Sequence, residues 1–289
     1  MTSELSPEWT NQAGTIEDLL ADARAQGFPA TKRLIHDWIA LGLLDHPQRR
    51  TTGGAGGSEK ALFPWTQRNL FRLLVQKRPE VTAIAALCNI PVGLWLWWGD
   101  DYAPTSQVQR ALQTWAGKVP TKVSWQLARR QARQATDFLD DQGASRDQRQ
   151  HLIDVMAKIA YSGKLHDQAQ LVRAVEAVFD PARSGRVFGS GLATATAHSL
   201  VALIAGRLRG AERARQRASF AELQRARAIY RDTRMQWAKE RPILAQHLAR
   251  RSDEVLFAPE GLQELFDRAC SELMLILGLQ LPADGATDE

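Results

Sequence analysis

The chain has 289 residues, of which 44% are hydrophobic and 24% charged, with a formal net charge of +5 and a pI of about 9.5. That is room for about two domains with ordinary cores. Two cysteines, Cys88 and Cys270, exclude a disulfide framework, no Cys/His cluster has zinc-ligand spacing, and no apolar run approaches the ~20 residues that cross a bilayer.

The elements are read in chain order. Residues 1–14 are polar and are expected to form a disordered tail. Thr15 and Asp18 carry a helix-start signal for TIEDLLADARAQ, which buries Ile16, Leu19, Leu20 and Ala23 and stops at Gly27. Phe28-Pro29-Ala30 makes a turn, and Thr31 caps a second helix (31–41). There Leu34, Ile35, Trp38 and Leu41 share one side, opposite Lys32, Arg33, His36, Asp37 and Ala40. Residues 45–62 combine glycines with Arg49 and Arg50 and cannot make a core, so they are expected to form a β-ribbon wing. Pro64 opens a third helix with Leu70, Phe71, Leu74 and Val75 inward and Arg68, Arg72, Lys77 and Arg78 outward.

Residues 79–99 are the most apolar stretch, ending in Leu94-Trp95-Leu96-Trp97-Trp98. Beyond residue 103 the pattern predicts helices over 105–116, 122–141, 146–161, 166–179, 190–208, 211–238, 240–250 and 259–278. Asp180–Ser190 reads as a loop and 281–289 as an acidic tail. The expected fold is mainly α: a winged helix-turn-helix with a small β-wing over 15–78, Trp-rich connecting helices over 79–120, and an all-α dimerisation or partner-binding domain over 121–280.

Basic charge is concentrated rather than spread. Residues 31–78 hold nine Lys/Arg against three acids, and residues 207–251 hold thirteen against four, which leaves the rest of the chain net acidic. The first cluster coincides with the helix-turn-helix pattern. A helix with donors near its N-terminus, followed by a basic loop, has the layout of a major-groove reader with a phosphate-contacting wing.

Residues 15–75 also resemble the winged helix-turn-helix of MerR-type regulators. The family's I-x-E-L-A first helix is met by Ile16-Glu17-Asp18-Leu19-Leu20. Its T-I-R-Y-Y-E-R-x-G-L-L signature is met by the stretch from Leu34 to Leu44, which ends Gly42-Leu43-Leu44. Pro47 stands for the proline after that signature, Arg49 or Arg50 for the wing arginine, and Phe63 for the aromatic that starts the third helix. The chain departs from the pattern at His36, in place of an arginine, and at Asp37, in place of a tyrosine. Its wing is longer and richer in glycine, and the dimerising coiled-coil helix is not evident. The resemblance implies a winged-helix DNA-binding domain, usually dimeric and regulating transcription.

The candidate DNA-binding residues are therefore Lys32, Arg33, His36, Arg49, Arg50, Lys60, Arg68 and Arg72, with double-stranded DNA and a second copy of the chain as expected partners. Trp95, Trp97, Trp98 and Trp115 leave three roles open: core, subunit interface, or pocket for a planar ligand. The arginine-rich 207–251 segment fits either DNA phosphates or internal pairing. Gly189-Ser190-Gly191 has neither a preceding strand nor a following Gly-Lys-Ser/Thr, and the six histidines form no catalytic set. The expectation is a cytoplasmic, bacterial-style regulator, with no enzyme activity, cofactor or metal and no membrane contact. The alternatives are a helical adaptor that binds a protein partner or a small apolar effector through its C-terminal region, and an architectural factor of excisionase or plasmid-maintenance type.

Overall fold

The computed structural model describes residues 9–49, 60–81, 83–117, 122–140, 143–165, 167–187, 196–245 and 261–280. Among them the fold is helical, with two isolated antiparallel bridges and no regular strand. The chain divides into two compact units. The first comprises Met1–Lys118, Ala214–Arg227 and Gly261–Cys270, and the second Val119–Arg213, Ala228–Glu260 and Ser271–Glu289. The C-terminal half is thus not one contiguous domain from residue 121, because two of its segments belong to the N-terminal unit.

In the first unit, Thr15 opens α1 (Ile16–Ala25) through a reciprocal cap: its hydroxyl accepts from the Asp18 N–H while the Asp18 carboxylate accepts from the Thr15 N–H at 2.7 Å. Gly27, at φ +70°, ends that helix, with Gly27 N–H bonded to Arg24 O and Phe28 N–H to Ala23 O. Thr31 caps α2 (Lys32–Ala40), and α3 (Trp65–Lys77) follows Pro64. Leu19, Ile35, Trp38, Phe63, Leu70, Phe71 and Leu74 are fully or almost fully buried between the three helices. Trp38 packs on Phe71, with ring centroids 5.6 Å apart; burying one such ring stabilises by about 3 kcal/mol.

Residues 9–14 are laid along this core instead of trailing from it; residues 1–8 of the expected tail lie outside the described residues. Asn69 clamps the peptide of Thr10 from both sides, accepting from its N–H at 3.0 Å and donating to its carbonyl at 2.9 Å. Gly14 then pairs with Phe63. Short 3₁₀ turns at Arg78–Glu80 and Ile84–Cys88 lead to α4 (Asn89–Trp98) and α5 (Thr105–Ala116). Pro91 sits in the first turn of α4, where a missing N–H costs nothing.

In the second unit α6 (Lys122–Leu139), α7 (Arg146–Ser162) and α8 (Gln168–Phe179) enclose a core of Leu152, Leu171, Val175, Val178 and Phe179, joined by Val201. Helices α9 (Ala197–Arg215), α10 (Phe220–Ala245) and α11 (Leu262–Leu279) each contribute to both units. Two expected boundaries differ. The break placed near Gly210 falls instead at Gln216–Ser219, where Arg217 adopts φ +66° and Ser219 forms a capping pair with Glu222. Gly210 serves close approach: a Cβ there would overlap the Met274 carbonyl on α11. The helix expected to start at 240 is the continuation of α10 up to Ala245.

Candidate nucleic-acid interface

The outer face of α2 is built as its spacing demands. Lys32, Arg33, His36, Asp37 and Ala40 are exposed, while Ile35, Trp38 and Ile39 are buried. Beside this face lies a groove of about 750 Å³ whose walls include Lys32 and His36 from α2, His46 and Arg49 from the segment after it, Lys60, and Glu17 from α1. The ends of the segment between α2 and α3 are fixed by reciprocal backbone bonds between Gln48 and Leu62, at 2.8 and 2.9 Å, and between Gly14 and Phe63, at 3.0 and 2.8 Å. This minimal pairing carries Arg49 and Lys60 to the groove. Residues 50–59, and with them Arg50, lie outside the described residues.

Glu17 sets the local electrostatics. Its carboxylate accepts from Lys32 Nζ at 2.9 Å and lies 3.9 Å from Lys60 Nζ. The Lys32 hydrogen bond is the main cause of a carboxyl held below the usual glutamate range. Two exposed lysines and one exposed glutamate therefore share one end of the groove, in a setting where ion pairs are weak.

The position of α2 is set from its C-terminal end. Gly42, at φ +80°, closes the helix, with Gly42 N–H bonded to Ile39 O and Leu43 N–H to Trp38 O. Carbonyls at that end also accept from side chains of α5. Arg110 donates to Ile39 O and Leu44 O, Thr114 to Leu41 O at 2.9 Å, and Gln107 to Leu43 O at 3.0 Å. Arg110 also pairs with Asp45 at 2.8 Å. Buried Gln67 joins the set by donating to Gln107 and to the Tyr102 carbonyl and by accepting from the Asp45 N–H. A guanidinium at the negative end of the α2 dipole adds to the fit. The outcome is a short helix, too short to be stable alone, held at fixed orientation by buried polar contacts.

Arg68 and Arg72 turn inward rather than toward a phosphate. Arg68 grips Asp22 with two bonds, at 2.6 and 3.0 Å, and Arg72 reaches the same carboxylate at 3.7 Å. They tie α3 to α1. Within the arginine-rich segment, Arg227 donates to Trp95 O at 2.8 Å with its guanidinium over the Trp95 ring, Arg234 pairs with Glu272 at 3.3 Å, and Arg209 donates to Gly278 O.

The tryptophans separate by environment. Trp95 is fully buried, and its indole N–H donates to Asp100. Trp97 packs on Phe266, with centroids 5.6 Å apart, and Trp115 is half-buried. Trp98 is 46% exposed and lies against Tyr102, with centroids 5.0 Å apart.

Sequence reasoning missed His46 and Glu17 as groove residues, although His46 stands three residues before Arg49 and Glu17 belongs to α1. It also missed the α5 clamp, because Gln107, Arg110 and Thr114 bond carbonyls 64 to 73 residues away in sequence. No described group of three or more His, Cys, Asp or Glu residues is placed to hold a metal ion, and no described helix is long and apolar enough to cross a membrane. No protein-family model, curated protein or solved structure matches the chain.

Proposed function

We propose that the protein is a sequence-specific regulator of transcription that binds double-stranded DNA through a winged helix-turn-helix of MerR type. The observation that carries this reading is the exposed, donor-rich face of α2 beside a groove that Arg49 and Lys60 also line, on a helix whose orientation is locked from its far end. In this reading α2 enters the major groove. Lys32, Arg33 and His36 donate to base edges and phosphates, and the exposed Asp37 carboxylate accepts from a cytosine amine. Arg49 and Lys60 contact phosphates and add affinity without sequence information. Glu17 is displaced from its lysines by the DNA backbone. The protein acts as a homodimer reading two half-sites about 34 Å apart or a multiple of that spacing.

The test is fluorescence anisotropy on a site selected from genomic DNA. Arg33→Ala and His36→Ala should each weaken binding to that site more than to unrelated duplexes. Arg49→Ala combined with Lys60→Ala should weaken all duplexes alike and reduce the salt slope by about two. Equal losses on all duplexes for the α2 variants would overturn the reading of α2 as the specificity element.

A further inference from the structure

Away from the groove, three indoles meet on one phenol. Trp9 comes from the N-terminal strap, Trp65 from the first turn of α3 and Trp98 from the last turn of α4. Their ring centroids lie 6.0, 6.1 and 5.0 Å from that of Tyr102. The indoles stay 41, 44 and 46% exposed, whereas Tyr102 is only 8% exposed. The Tyr102 hydroxyl is buried and has no hydrogen-bond partner, an arrangement that native proteins rarely keep without a use. Isolated surface tryptophans need no explanation, but three converging on an unsatisfied polar group mark a recognition patch.

The charge beside the patch selects the ligand. Asp100 is fully engaged: its carboxylate accepts from Trp95 Nε1, from the N–H and hydroxyl of Thr105, and from Gln224. Its neighbour Asp101 is exposed, and among the described residues nothing bonds to it. Indole faces are electron-rich, and Asp101 carries a negative charge. Both features favour a flat cation with several donors. Nucleic acid fits poorly, since its phosphates would approach two adjacent carboxylates.

We propose that this patch docks an arginine-bearing segment of a partner protein. The guanidinium stacks on an exposed indole and donates to Asp101. Arginine suits the site better than lysine, because its plane stacks, its fork donates along several directions, and it is weakly hydrated. This docking site is independent of the DNA-binding reading, which rests on other residues.

The experiment uses the full chain with ¹⁵N-labelled tryptophan. The indole N–H resonances are followed while a capped glycine-arginine-glycine peptide is added, and again with the isosteric, uncharged citrulline peptide. The signals of Trp9, Trp65 and Trp98 should move and saturate with the arginine peptide and respond at least about fivefold more weakly to the citrulline peptide. Asp101→Asn and Trp98→Ala, both surface changes, should each weaken binding about three- to tenfold with unchanged far-UV circular dichroism. Equal response to both peptides, or parental binding by Asp101→Asn, would overturn the proposal. Movement of the same indoles with oligothymidylate alone would replace it by base stacking, and movement on raising the protein concentration alone would replace it by a second copy of the chain.

Discussion

Gly42 lies against the backbone of Ala111 so closely that a Cβ on residue 42 would overlap the Ala111 amide nitrogen. The same glycine holds φ +80° at the C-terminus of α2. One residue therefore satisfies two demands, the left-handed turn that ends the exposed helix and the close approach of α5, whose side chains bond the carbonyls around it. Gly42→Ala should cost at least about 2 kcal/mol, combining the left-handed penalty with the displacement of α5. Chemical denaturation measures this directly. A loss below about 0.5 kcal/mol would mean that the turn is not held against α5.

Glu17 holds Lys32 and Lys60 at the groove, so removing its charge should strengthen DNA binding. Glu17→Gln should raise affinity for all duplexes about two- to fivefold at low salt and steepen the dependence on salt. Anisotropy titrations at two salt concentrations check both effects. Weaker binding by this variant would assign Glu17 a positive role in the interface.

Arg68 serves the fold. Its guanidinium is bidentate to Asp22, which is 7% exposed, so Arg68→Ala leaves that carboxylate with only the more distant Arg72 among its ion pairs described above. A stability loss of about 2 kcal/mol is expected. DNA affinity measured well below the melting temperature should stay within about twofold of the parent. A large affinity loss at unchanged stability would return Arg68 to the phosphate-contacting set.

Acid should destabilise the protein through two named carboxylates. Asp18 is held below the usual aspartate range by the Thr15 N–H and then by the Thr15 hydroxyl. At Asp100 burial opposes ionisation, and hydrogen bonds from Thr105, Gln224 and Trp95 outweigh it, again lowering the value. A carboxyl lowered on folding stabilises above its unfolded value of about 4 and loses that contribution as pH falls through its folded value. The Tm should be flat from about pH 7 to 5 and fall below about pH 4. Asp18→Asn combined with Asp100→Asn should lower Tm at neutral pH and flatten the acid limb. Burial raises the Tyr102 phenol, which adds a second loss of stability as pH climbs past about 10.

The first three helices are legible in the sequence because their punctuation is local. Thr15 with Asp18, Gly27, Thr31 and Gly42 each act within a few residues, and the period of α2 alone separates Lys32, Arg33 and His36 from Trp38. What stays hidden depends on contacts across long sequence distances. The tryptophans at 9, 65 and 98 show nothing in sequence of their meeting at Tyr102. Gln107 and Thr114 look like surface until the carbonyls of α2 are placed on them. Gly210 mimics a helix stop because a glycine needed for close packing is written with the same letter as one needed for a turn. Arg68 and Arg72 fit a phosphate-facing pattern as well as an ion pair, and only the position of Asp22 separates the two.

The most direct measurement is selection of bound fragments from a random pool of genomic DNA by the purified full chain at near-physiological salt, followed by sequencing. A recurring inverted repeat, lost when Lys32, Arg33 and His36 are changed to alanine together, is the result predicted for a dimeric sequence-specific regulator. No retention of DNA even at low salt would contradict the account.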